Sequence, residues 1–78
     1  MSITVYTKPG CVQCDMTKRL LDRRSVAYTS IDLSVHPEDV TRLSNAGFKT
    51  VPIIEIDGQP AFAGFQPDRI TTLIKRIL

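Results

Sequence analysis

A strand-like run, a Pro-Gly stop and a close pair of cysteines follow one another at the start of this chain: Ile3-Thr4-Val5-Tyr6-Thr7, Lys8-Pro9-Gly10, Cys11-Val12-Gln13-Cys14. Residues 2–7 alternate apolar and polar, with Ile3 and Val5 on one face, and this reads as a strand that ends at Pro9-Gly10. A helix then begins at about Cys11 or Val12. Val12, Met16 and Leu20 recur on one side of it, and Asp15 and Arg19 stand at the favourable i, i+4 spacing. The helix should end near Arg24-Ser25. The first cysteine is thereby placed at a strand-to-helix junction, where unsatisfied backbone N–H groups and the positive end of the helix dipole favour thiolate. Thiols so placed ionise in the range of roughly 3.5 to 7.5 rather than near about 8.5. Cys11 is the expected nucleophile. Cys14, one turn on and deeper, is close enough to attack a mixed disulfide formed by Cys11.

The remaining chain supplies the frame. Residues 26–33, rich in β-branched and aromatic side chains, form a second strand. His36 stands before Pro37-Glu38-Asp39, a helix start with proline at the first position and acids in the first turn. Val40, Leu43 and Ala46 are its expected buried side, and Gly47 terminates it. A third strand lies around residues 52–56, and Asp57-Gly58 suits a type I′ hairpin turn. A short return strand covers Ala61 to Ala63, with Pro60 fitting a sheet edge. Gln66-Pro67-Asp68 opens the last helix, in which Ile70, Leu73, Ile74, Ile77 and Leu78 give the clearest amphipathic pattern of the chain. The order is βαβαββα: an α/β domain over residues 1–78, with a four-stranded mixed sheet flanked by three helices.

Composition narrows the chemistry. At 78 residues with only two cysteines, three positions apart, a disulfide between them closes too small a loop to be much of a staple. No basic run, tryptophan or recognised aromatic motif points to nucleic acid. No apolar stretch approaches the roughly 20 residues of a membrane span; Val51 to Ile56 is interrupted by Pro52 and Glu55. Met1 leads directly into a strand without a signal-type apolar region, so the cytoplasm is expected. A close cysteine pair there is redox-active or metal-binding. Net charge is +2, yet residues 8–24 hold five bases against two acids, which puts positive charge on the cysteine-bearing segment. A bare Cys-x-x-Cys also serves metal carriers, but there is no third cysteine. The lone histidine, His36, is placed as a helix flank, so no complete protein metal site is expected.

Three segments in order, Cys11-Val12-Gln13-Cys14, Thr50-Val51-Pro52 and Phe62-Ala63-Gly64-Phe65-Gln66-Pro67-Asp68, closely resemble those of the NrdH-type redoxins. These are glutaredoxin-like proteins of the thioredoxin-like superfamily, and the resemblance spans essentially the whole chain. It implies a thioredoxin-like fold of glutaredoxin type, with Pro52 in cis beside the cysteines. It also implies that Val51, next to Thr50, offers its backbone to an extended substrate segment. Val12, Gln13, Gly64, Phe65, Gln66 and Asp68 join Lys8 as the implied partner-contacting set. The implied function is a hydrogen donor with no bound cofactor. Electrons pass from NADPH through the flavoenzyme thioredoxin reductase to a Cys11–Cys14 disulfide, then to a disulfide of the class Ib ribonucleotide reductase large subunit. The redoxin itself is expected to be a monomer. Lys8 either stabilises the Cys11 thiolate, holds a glutathione carboxylate, or is a solvated loop lysine. A glutathione-using glutaredoxin, the alternative, more usually shows Cys-Pro-Tyr-Cys and a Gly-Gly pair followed by an acid. The NrdH-type family commonly has Trp-Ser-Gly-Phe-Arg-Pro-Asp where this chain has Phe62, Ala63 and Gln66 in place of the tryptophan, serine and arginine.

Overall fold

The computed structural model describes residues 2–77; Leu78 and the side chain of Ile77 lie outside the described residues. Strand β1 (Ile3–Thr7) runs through the middle of a four-stranded sheet with β2 (Thr29–Asp32), β3 (Ile53–Ile56) and β4 (Phe62–Ala63), in the order β2-β1-β3-β4. β1 pairs parallel with β2 and antiparallel with β3, and β3 pairs antiparallel with β4. Three helices flank the sheet: α1 (Val12–Arg23), α2 (Pro37–Asn45) and α3 (Pro67–Ile77). The βαβαββα order and mixed sheet are those expected from the sequence. None of these helices is long and apolar enough to cross a membrane.

Strand alternation divides the core. Ile3 and Val5 lie opposite Ile56 and Ile54. With Phe62 they meet Leu21 of α1, Val26, and Ile70, Leu73 and Ile74 of α3 in one buried cluster. Tyr6 and its partner Ile53 point the other way and pack with Leu33 and Leu43, with Phe48 and Val51 half-buried beside them. β1 is thus covered on both sides, Val5 at 0% and Tyr6 at 4% exposure. Each such fully buried apolar side chain contributes about 1.5–3 kcal/mol, so the strand that delivers Cys11 is held from both faces.

Four local expectations change. In α1 the buried stripe is Cys14, Thr17 and Leu21, while Val12 is 71% and Met16 40% exposed. The helix is rotated by its capping cysteine: Cys14 must turn inward to meet Cys11, and Val12, two residues earlier, then lies about 200° around the axis. In α2 only Leu43 is buried; Val40 is exposed and Ala46 is an exposed cap residue. The second strand is shorter than expected and ends at Asp32, whose carboxylate accepts the Ser34 N–H at 2.8 Å and the Ser34 hydroxyl at 2.7 Å. This opens a 3₁₀ turn over Leu33–Val35 and holds the Asp32 carboxyl below the usual range. The β3–β4 turn is not type I′, because Gly58 has a positive φ and Asp57 does not. With five residues between the strands, the Ile56-to-Gln59 turn closes without a second left-handed residue.

A polar clamp makes up for the thin apolar side of α2. Arg42 donates to the Tyr6 hydroxyl at 2.6 Å and to Glu55 at 3.2 Å, and Tyr6 donates to Glu55 at 2.6 Å. This fastens the helix to β1 and β3. Burial first, and then the Glu55 carboxylate, push the Tyr6 phenol above its usual value. A raised folded-state value means that the phenol's contribution is present below about pH 10 and is lost as pH climbs further. The urea midpoint should therefore fall above about pH 10, and Tyr6→Phe should flatten part of that fall. An equal alkaline slope in both proteins would contradict this role.

Both α1 and α2 end in the same pair of bonds. Ser25 N–H reaches Asp22 C=O and Val26 N–H reaches Leu21 C=O; Gly47 N–H reaches Ser44 C=O and Phe48 N–H reaches Leu43 C=O. Each is a Schellman motif whose turning residue is left-handed. Gly47 takes this conformation freely at φ 95°, but Ser25 holds φ 57° with a β-carbon. Ser25→Gly should stabilise the protein by about 0.5–1 kcal/mol and raise Tm by about 3–6 °C; a lower Tm would contradict the assignment.

Candidate active site

The chain leaves β1 through Lys8-Pro9-Gly10, and Gly10 at φ 76° turns it into α1. Cys11 is the N-cap, in extended conformation, and its side chain accepts the N–H of Cys14 at 3.0 Å. Cys11 and Cys14 are joined as a disulfide with their Cα atoms 5.2 Å apart, within the usual span for such bonds. Cys11 is half-buried, whereas Cys14 is 1% exposed. One sulfur is open to attack, and it sits where helix N–H groups favour negative charge. The other lies beneath it, positioned to attack from inside.

Two further segments are linked to this helix turn. The Val51-Pro52 peptide is cis, as the resemblance implied, and Pro52 is fully buried. Its C=O accepts the Gly64 N–H at 2.8 Å, and the next amide, Phe65 N–H, donates to Gln13 Oε1 at 3.2 Å. Two consecutive amides of the loop after β4 therefore tie the cis-proline turn to the helix that carries the cysteines. Gln66 closes the loop on itself through Nε2 to Ala63 C=O at 2.7 Å. Among the described residues the backbone N–H and C=O of Val51 bond to nothing, so this short edge is free for an added strand.

Lys8, Thr50 and Val51 line a surface groove of about 220 Å³ whose apolar wall includes Leu33, Leu43 and Phe48. Lys8 is exposed and has no ion pair among the described residues. Val12, Gln13, Gly64 and Phe65 are brought together near the cysteines. Asp68 is not tied to them: it is an exposed first-turn residue of α3 with no bond to the cysteine turn. Phe62 is a core residue at 4% exposure with the Arg69 guanidinium 4.4 Å from its ring centroid. Sequence reasoning missed Thr17, which is 0% exposed and donates its hydroxyl to Gln13 C=O at 2.9 Å. Its place three residues after Cys14, on the side that Cys14 turns inward, was the available signal. It also missed Phe48 and Lys49 of the groove, which directly precede Thr50.

Comparison with known proteins agrees with this geometry. The glutaredoxin family model matches residues 3–61. The glutaredoxin-like protein NrdH of Salmonella typhimurium is 36% identical over 73 residues, covering 94% of this chain and 89% of that protein. The NrdH protein of Lactococcus lactis subsp. cremoris is 37% identical over 71 residues, 91% of this chain and 97% of its own. The structure of NrdH-redoxin from Escherichia coli superposes with a TM-score of 0.87 at 38% identity, covering 94% of this chain and 95% of that one.

The burial difference predicts unequal reactivity. After reduction, a short iodoacetamide pulse on the native protein should label Cys11 faster than Cys14 by about tenfold or more, read by peptide mass spectrometry. Equal labelling would contradict the asymmetry.

Proposed function

The chain belongs to the glutaredoxin family, within it to the NrdH-type redoxins, and is a thiol–disulfide oxidoreductase acting as a hydrogen donor; from that premise we propose the route its electrons take. They come from NADPH through thioredoxin reductase, reduce the Cys11–Cys14 disulfide, and pass to a disulfide of the class Ib ribonucleotide reductase large subunit. No cofactor is held by the redoxin itself, and the cytoplasm is its compartment.

The exchange chemistry is carried by the asymmetric cysteine pair, with Cys11 Sγ hydrogen-bonded at the helix N-terminus and Cys14 beneath it; the reductase-linked route is supported by the likeness to the NrdH proteins. In the reduced protein the Cys11 thiolate attacks one sulfur of the target disulfide; that bond breaks, and the departing sulfur takes a proton from solvent. Cys14 then loses its proton and attacks Cys11 Sγ, closing the Cys11–Cys14 disulfide and releasing the second target sulfur, which is protonated in turn. The target gains two electrons and two protons; the redoxin, starting as the Cys11 thiolate and the Cys14 thiol, gives up two electrons and one proton, and solvent supplies the other proton. The free backbone of Val51 supports a target segment that lies extended along it while the sulfurs exchange. A second reading, electron supply by glutathione, is favoured by one observation: unpaired Lys8 beside Thr50 and Val51 could hold a carboxylate.

The test pairs two measurements. Cys11→Ser should abolish disulfide reduction, and Cys14→Ser should accumulate a mixed disulfide between Cys11 and the target; activity surviving in Cys11→Ser would overturn the assignment. With wild-type protein, NADPH and thioredoxin reductase should sustain ribonucleotide reductase turnover. Turnover with glutathione and its reductase, but not with thioredoxin reductase, would replace this reading with the second.

A further inference from the structure

Gln13 stands between the two cysteines and makes the one side-chain bond from that segment to the loop after β4 among the described residues. Its backbone is held from below, since its C=O accepts the hydroxyl of buried Thr17. Its side-chain carbonyl takes the Phe65 N–H at 3.2 Å, while the adjoining Gly64 N–H is taken by Pro52 C=O at 2.8 Å. The 64–66 loop is thus fixed at two successive amides, one to the cis-proline turn and one to the residue between the cysteines. The Phe65 N–H also lies at the approach to the N-terminal end of α3, where partial positive charge gathers and carboxylates bind well. Gln13 puts an internal, neutral acceptor on that donor.

Resting on the reading of this chain as a reductase-linked redoxin, we infer that Gln13 is a positioning residue that sets the choice of electron donor. Its carbonyl holds the 64–66 loop as a rigid face for a protein reductase. The same bond withholds the Phe65 N–H from carboxylate-bearing small thiols such as glutathione. Gln13 takes no part in the exchange of sulfurs; it acts through the loop it braces.

Wild-type, Gln13→Leu and Gln13→Glu proteins separate these effects. For each full chain, kcat and KM are measured with NADPH and thioredoxin reductase, the rate of reduction is measured with glutathione, and both are normalised to the rate with dithiothreitol, which carries no carboxylate. In Gln13→Leu, which keeps bulk but loses the acceptor, the normalised reductase kcat/KM should fall about threefold to tenfold, mainly through KM. The normalised glutathione rate should rise by about the same factor, the worth of one hydrogen bond. Gln13→Glu keeps an acceptor oxygen and should hold the reductase value within about threefold of wild type, on the same scale. Hydrogen exchange at the Phe65 amide should quicken in Gln13→Leu and not in Gln13→Glu. Unchanged normalised ratios in Gln13→Leu, or unchanged Phe65 exchange, would overturn the inference. A wild-type protein inert towards thioredoxin reductase would instead overturn the proposed function, and the glutathione ratio between variants would still decide the role of Gln13.

Discussion

The hydrogen bond from the Cys14 N–H to Cys11 Sγ arises from the way the chain turns out of β1, through a left-handed Gly10, so that Cys11 becomes the cap of α1. A serine or aspartate at such a position would satisfy the helix and do nothing more. Sulfur there satisfies the same orphan donor and gains, in its anionic form, the attraction of the helix end. On the proposed exchange, structural capping and nucleophile activation are one contact, and the rotation of α1 goes with it. Cys14 must face inward, Thr17 and Leu21 follow it into the core, and Val12 is left on the surface beside the disulfide.

The rest of the architecture keeps that junction still. β1 is buried on both faces, so the strand that feeds the turn has little freedom. The cis Val51-Pro52 turn is anchored by the Gly64 amide, and the 64–66 loop is anchored in turn by Gln13. On the opposite side, α2 has one buried apolar residue and depends on the Arg42, Tyr6 and Glu55 clamp for its seat against the sheet. The groove lined by Lys8, Thr50 and Val51 runs along the edge of that less firmly packed side, which is where an extended partner segment would need room to settle.

Much of this was legible in the sequence, and what was not has physical causes. Element order followed from period and punctuation: the alternation of Ile3 and Val5, the Pro37 and Pro67 helix starts, the Gly47 stop. The cysteines were found because their spacing is short and their chemistry distinctive, and the Thr50-Val51-Pro52 segment through its resemblance to the redoxin family. The apolar face of α1 was misplaced in part: Leu20 packs half-buried against the core, but Val12 and Met16 are exposed, and only the inward turn of Cys14 decides against them. Thr17 was passed over because a threonine looks like a surface residue until its hydroxyl is seen to return to Gln13 C=O. The Tyr6, Glu55 and Arg42 clamp joins residues far apart in the chain, and no local pattern announces it. Ser25 looked like an ordinary helix end; its left-handed backbone shows only beside Gly47, which does the same work in α2.

The claim on which the account depends is that the helix cap holds Cys11 as thiolate in the reduced protein. Thiolate absorbs in the far ultraviolet and thiol does not, so the difference spectrum of reduced protein between neutral and acidic solution measures it directly. The account predicts close to one thiolate per chain at neutral pH, retained in Cys14→Ser and lost in Cys11→Ser. No thiolate absorbance at neutral pH, or a signal that survives in Cys11→Ser, would contradict it.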